Sequence, residues 1–129
     1  MKEIKDFLKN DRFAANAGVE LIEVHEKYAK AQMRVTAEHL NAGGVCQGGA
    51  LFTLADLAYA AVANNEKALT FSITANITFV HAAKEGEIIY AEAEEIVNHP
   101  RIPFIEVRLT NGQGELLAIF TSSGYRKKS

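Results

Sequence analysis

With 129 residues and 48% hydrophobic side chains, the chain has enough material for one core and too little to divide into two domains. Its 16 acidic and 14 basic residues leave a formal charge of −2, spread along the chain, so there is no basic stripe to attract nucleic acid or an anionic membrane. A single cysteine, Cys46, forbids an internal disulfide and suits a reducing cytosol. The opening residues lack the apolar core of a secretory signal, and no later run is apolar over a bilayer's span; the expectation is one soluble cytoplasmic domain, 1–129.

In chain order, residues 2–12 place Ile4, Phe7 and Leu8 on one side of a short amphipathic helix, and residues 1–17 are read as an N-terminal helical segment. Residues 19–38, VELIEVHEKYAKAQMRVTAE, alternate apolar and polar side chains through Val19, Leu21, Ala31, Met33 and Val35. That predicts two strands with a turn around Glu26 to Tyr28. HLNAGGVCQGG, residues 39–49, is a loop by composition. ALFTLADLAYAAVANN, residues 50–65, is rich in Ala and Leu, nearly free of charge and closed by two asparagines, which predicts a buried helix with a C-cap. Four strand candidates follow at residues 69–83, 87–98, 103–111 and 115–127, separated by Gly86, the HPRIP segment and Asn111-Gly112-Gln113-Gly114. One apolar helix among five to six strands must be covered, and an antiparallel sheet curled around it is the economical solution.

Within GGVCQGGALFTLAD, residues 43–56, two features carry chemistry. Gly48 and Gly49 stand at the helix N-terminus, where the first N–H groups have no intrahelical partner and the dipole favours negative charge. An acyl carbonyl placed at the Gly48 N–H would have its developing oxyanion stabilised; the plainer alternative is a tight turn into the helix. Asp56 is a lone carboxylate among Leu51, Phe52, Leu54, Ala55, Leu57 and Ala58, and burial there costs several kcal/mol unless the charge is paired or opens on a cavity. Desolvation would raise its pKa and make it a better general base, or it would attack as a nucleophile. The plainer alternatives are a wet helix edge or a hydrogen bond from Thr53. Eight residues separate Gly48 from Asp56, about 12 Å along a helix at ~1.5 Å per residue. That is too far for one acyl carbon, so a substrate served by both needs Asp56 from one subunit and Gly48 from another. A twofold dimer with antiparallel helices supplies two such sites.

The run LNAGGVCQGGALFTLADLAYAAVANN resembles the PaaI-like (phenylacetate-degradation) branch of the hotdog-fold acyl-CoA thioesterases, marked by an Asn, a Gly, then His-Gly-Gly, then an Asp in the pattern LAD. ITANITFVHAAKEGE and the closing SSGYRKK are similar too, so the resemblance runs from about Val19 onward. It implies a long helix wrapped by an antiparallel sheet, homodimers that pair into tetramers, and hydrolysis of acyl-CoA thioesters without metal or prosthetic group. Carried over residue by residue, Asp56 falls on the catalytic carboxylate, Gly48 on the glycine whose N–H faces the thioester oxygen, and Asn41 on an asparagine near the attacking water; Asn41 also reads as a turn-forming residue. Ser72 falls where some members hold the water with a hydroxyl, although strict alternation would place Ser72, Thr74 and Asn76 on one polar strand face. Gln47 stands where the family usually has His, and glutamine hydrogen-bonds without titrating near neutral pH.

The remaining chemical residues say less. His25, His39, His81 and His99 lack the spacing of a shared metal site, so no metal is expected. Cys46 has no identifiable histidine partner for nucleophilic catalysis. Lys84, Arg101 and Arg126 are candidates for the CoA phosphates and equally for solvated surface. The favoured expectation is an acyl-CoA thioesterase with a site shared between subunits; the alternative is an acyl- or aryl-CoA binding protein with little turnover.

Overall fold

Alternation in residues 19–38 resolves into a hairpin of β1 (Glu20–His25) and β2 (Tyr28–Arg34), with His25 paired to Tyr28 across a two-residue turn. The computed structural model describes residues 2–64, 69–97 and 99–127. The N-terminal segment forms two short helices, α1 (Lys2–Leu8) and α2 (Arg12–Asn16). They are separate because Asp11 starts a new one: its carboxylate accepts the Ala14 N–H at 3.0 Å, an N-cap that restarts the chain in a new direction. The expected amphipathicity is partial, since Ile4 is buried while Phe7 is exposed.

The loop of residues 39–49 is preceded by a 3-10 turn, Ala37–His39, and leads into the long helix α3 (Gly48–Ala63). Strands β3 (Thr70–Phe79), β4 (Ile88–Val97), β5 (Phe104–Thr110) and β6 (Leu116–Arg126) complete a six-stranded antiparallel sheet in the order β1-β2-β4-β5-β6-β3. Its concave face wraps α3, as the composition of the helix demands. In the middle of the sheet Ala29 pairs with Ala93 and Ala31 with Ala91, all fully buried. Four methyl groups there let the helix backbone approach closely, and Phe120, Leu54 and Met33 fill the remaining space. Substituting one of these large side chains with Ala costs about 2–5 kcal/mol by the usual cavity rule.

The C-terminus of α3 is closed by three polar contacts. Asn64 caps it and donates from its amide to the Ala60 carbonyl at 2.9 Å, while the Ala63 carbonyl accepts from the Thr70 hydroxyl at 2.8 Å and from the Arg126 guanidinium at 2.9 Å. Asn65, the second asparagine expected at this cap, lies outside the described residues.

One strand breaks the expected alternation. In β3, Ser72 pairs with Gly124 and Thr74 with Ser123, so Ile73 is a bulged extra residue. Past the bulge the faces exchange, which corrects the expectation that Ser72, Thr74 and Asn76 share one side. Ser72 lies with Ala75 and Ile77 on the helix-facing side, opposite the buried row of Ser122 and Phe120, and Thr74 and Asn76 point outward. No described helix is long and apolar enough to cross a membrane.

Candidate active site

Because α3 begins at Gly48, its first N–H groups need acceptors from outside the helix. Gln47 is the N-cap: its side-chain carbonyl accepts from the Gly49 N–H, and its backbone carbonyl accepts from the Ala50 N–H at 2.9 Å. This leaves the Gly48 N–H with no acceptor among the described residues. It stands at a cleft of about 390 Å³ lined by Asn41, Gly48, Leu51, Phe79, His81 and other residues. The glycines also sit close against the ends of two side chains, which a Cβ would push aside. A Cβ at Gly48 would lie 2.7 Å from the Phe79 ring, and one at Gly49 would lie 2.5 Å from the Gln47 carbonyl.

The loop that carries Asn41 folds back on itself. Asn41 Oδ1 accepts from the Gly43 N–H at 2.9 Å and the Val45 N–H at 3.2 Å, while its backbone N–H donates to the Val45 carbonyl at 2.8 Å. The side-chain oxygen is therefore spent on the turn. Its Nδ2 donor meets no acceptor among the described residues, which leaves it available at the cleft. Turn former and cleft donor are thus two ends of one side chain.

Asp56 occupies a different place. Positions Gly49, Thr53, Asp56 and Ala60 form the less buried stripe of α3, so Asp56 is half-buried on an edge of the helix that the sheet leaves open. The Thr53 hydroxyl does not reach it and instead donates to the Gly49 carbonyl at 2.8 Å. No described donor bonds the carboxylate. Desolvation raises its pKa above the ordinary Asp value, and the negative charge of Asp11 on the neighbouring α2 raises it further. The shift is in the direction a general base needs.

Ser72 sits on the concave side with its hydroxyl 3.2 Å from that of the buried Ser122. The three candidate cations separate. Lys84 is exposed and follows the cleft-lining Ala83 in the chain. Arg101 and Arg126 are at the other end of the sheet, where the Arg126 N–H donates to the Arg101 carbonyl at 2.7 Å. Arg126 turns inward to cap α3 with Nη2 and to bond the Thr70 hydroxyl with Nε at 3.2 Å, a structural use of this candidate cation. Cys46 is buried, and desolvation pushes its thiol up to about 11, far from a thiolate at neutral pH. No three His, Cys, Asp or Glu side chains gather as a metal site among the described residues. Phe79 and His81 at the cleft were not singled out from the sequence; only the fold brings them beside Gly48.

A single helix wrapped by a curved antiparallel sheet, with a free N–H at the helix start and a desolvated carboxylate two turns on, defines a hotdog thioesterase fold. The chain belongs to the thioesterase superfamily, whose sequence profile matches residues 43–118, and it is an enzyme of that thioester-hydrolysing class. A protein of Archaeoglobus fulgidus that carries the provisional description of an esterase is 37% identical over 127 residues, covering 98% of this chain and 82% of its own. Acyl-coenzyme A thioesterase PaaI of Escherichia coli is 29% identical over 118 residues, covering 92% of this chain and 84% of its own. The solved structure of the E. coli PaaI protein from the phenylacetic acid degradation operon superposes with a TM-score of 0.91 at 27% identity, over 96% of this chain and 90% of that one.

Proposed function

We propose that this enzyme hydrolyses acyl-CoA thioesters to free acid and CoA at a site built by two copies of the chain. The observation that carries the reading is the separation of two unfinished halves. One is a cleft with an unbonded Gly48 N–H and the Asn41 amide. The other is a half-buried carboxylate, Asp56, with a raised pKa and no donor. At ~1.5 Å per residue they stand about 12 Å apart along one helix, too far to share an acyl carbon within one chain.

A second copy joins them if it pairs at β3, the edge strand of the sheet where Phe71, Ile73 and Phe79 are exposed, rather than at the other edge, β1. Twofold pairing there sets the helices antiparallel and brings each Asp56 toward the other chain's cleft. In the reaction the Gly48 N–H and the helix dipole stabilise the oxyanion. Asp56 of the opposite chain either takes a proton from the water that attacks the carbonyl, or attacks the carbonyl itself to give a mixed anhydride that the water then hydrolyses to free acid and Asp56. The Asn41 amide of one chain and Ser72 of the opposite chain hold the water, and Gln47 keeps the helix start in shape. The CoA thiolate departs without metal or prosthetic group. Lys84, exposed beside the cleft-lining Ala83, meets the CoA phosphates, joined by Arg101 of the opposite chain. The buried, unpaired Cys46 is compatible with a cytoplasmic enzyme.

The test is complementation between two inactive variants, Asp56→Asn and Asn41→Ala, in a purified heterodimer. One site then collects both lesions and the other neither, so about half of wild-type activity returns. Heterodimers that bind acyl-CoA and stay as inactive as either parent place both residues in one chain's site and overturn the shared mechanism.

A further inference from the structure

His39 lies outside the residues matched by the superfamily profile and outside the chemistry assigned above, yet both nitrogens of its ring are bonded. The Thr36 N–H points at Nδ1 from 2.9 Å, with the Thr36 hydroxyl 3.2 Å away. A backbone N–H only donates, so Nδ1 is the acceptor. Nε2 faces the Ala17 carbonyl at 2.7 Å, which only accepts, so Nε2 carries the proton. One neutral tautomer satisfies both contacts. The first completes a capping box on the 3-10 turn, with His39 in the place that Glu or Gln usually takes. The second reaches the C-cap residue of α2 in the N-terminal segment.

The backbone of His39 is the neck of the loop that carries the oxyanion and water-holding groups. Its carbonyl accepts the Gln47 N–H at 2.7 Å, Leu40 bridges to Cys46, and the Cys46 N–H is anchored on the Ala83 carbonyl at 2.8 Å. Rotation of this neck would move Asn41, Gln47 and the start of α3 together. Reacting groups displaced by ~1 Å lose as much as ~10²-fold in rate, so the neck's rigidity bears directly on turnover.

We infer that His39 is a positioning residue: its doubly bonded ring locks the Asn41–Gly48 segment against α3 and makes the N-terminal helices a brace for the site. The kinetic consequence rests on the thioesterase reading; the bracing itself does not. His39→Leu removes both ring bonds. His39→Asn keeps an acceptor near the Nδ1 position, and His39→Gln keeps a donor near the Nε2 position. The intact chain and these three variants are compared by amide hydrogen exchange and by hydrolysis of acetyl-, hexanoyl- and phenylacetyl-CoA.

With Leu, exchange in residues 40–49 should accelerate about tenfold or more while β4 and β5 stay protected, and kcat should fall about tenfold at nearly constant KM. Asn and Gln should each restore part of both. Unchanged exchange in residues 40–49 overturns the inference, as does a lower Tm with kcat intact. If the Leu variant does not fold, the Asn and Gln variants decide on the same measures. Should the wild type cleave none of the three thioesters, the thioesterase reading falls, and the exchange comparison still decides whether His39 braces the loop.

Discussion

At its first turn α3 is capped: Gln47 closes it, Phe79 lies near Gly48, and the Asn41 loop folds back on itself with its oxygen bonded. Two turns later the same helix carries Asp56 on an open edge, with no donor and with a second carboxylate, Asp11, nearby. The first region is held by local hydrogen bonds and still leaves two donors free among the described residues, the Gly48 N–H and Asn41 Nδ2; the second holds a carboxylate that no described donor bonds and that desolvation penalises. Free donors that open on a cleft cost little, whereas a half-buried, unbonded carboxylate carries a desolvation cost.

The sharpest break of this contrast is Asp56→Asn. Hydrolysis should fall by about 10²–10⁴-fold in steady-state assays with saturating acyl-CoA. The same change should raise Tm at neutral pH. The folded chain disfavours this carboxylate's charged form, so above its raised folded pKa the charge weakens the fold relative to the unfolded state. Below the unfolded value of about 3.9 both states are protonated and the gain vanishes. A thermal melt series across that range, alongside the rates, separates function from stability. Unimpaired turnover removes Asp56 from the chemistry.

Next in size is the Gly48 N–H. Gly48 is the first helical residue, where proline is tolerated, and Gln47 before it is already extended at φ −65°, ψ 135°. Gly48→Pro therefore deletes the donor with little backbone cost, while Gly48→Ala keeps it. Both place a Cβ against the Phe79 ring, which must shift alike in the two variants, so the comparison between them isolates the donor. The proline variant should be about 10²–10³-fold slower in kcat than the alanine variant, the range for one oxyanion donor. Equal rates for the two would leave Gly48 with a packing role only.

The same contrast explains what the sequence let one read. Alternation through the strands and a nearly charge-free, Ala- and Leu-rich run closed by asparagines span many residues, and they located α3 and all six strands within a few residues. Asp56 stood out because a charge on that helix violates its surroundings. What escaped was local. The bulge at Ile73 adds one residue to β3 and exchanges its faces, which composition does not mark. Arg126 looks like any C-terminal cation until the end of α3 is found beside it. Signals for the rest were present in a minor form: Asp11 three residues before Ala14 is an N-cap spacing, and Thr36-Ala-Glu-His39 is a capping box with histidine in the last place.

Gln47 tests whether the capped region depends on a titrating group. Its role in the fold is to accept the Gly49 N–H, which an imidazole nitrogen also does. Gln47→His should change kcat by less than about threefold and leave the pH profile in place, as expected for an exchanged cap. A gain of orders of magnitude would instead mark this chain as an acyl-CoA binder with an impaired site. Parallel pH–rate profiles on one substrate distinguish the two.

The smallest effect probes the other region through its neighbour. Asp11 caps α2 by accepting the Ala14 N–H, and its charge adds to the desolvation that raises the Asp56 pKa. Asn caps a helix about as well as Asp, so Asp11→Asn should leave α2 and the melting temperature nearly unchanged. It removes only the like charge. The ionised form of Asp56 is then less penalised, and its pKa falls toward the ordinary value without reaching it, because desolvation remains the larger cause. Hydrolysis requires the carboxylate, so the acid limb of kcat against pH should move to lower pH while the plateau keeps its height. Desolvation alone would leave the limb where it is. A shift to higher pH would mean that Asp11 stabilises the Asp56 charge through a contact absent from this fold, and the electrostatic account of the open region would have to be given up.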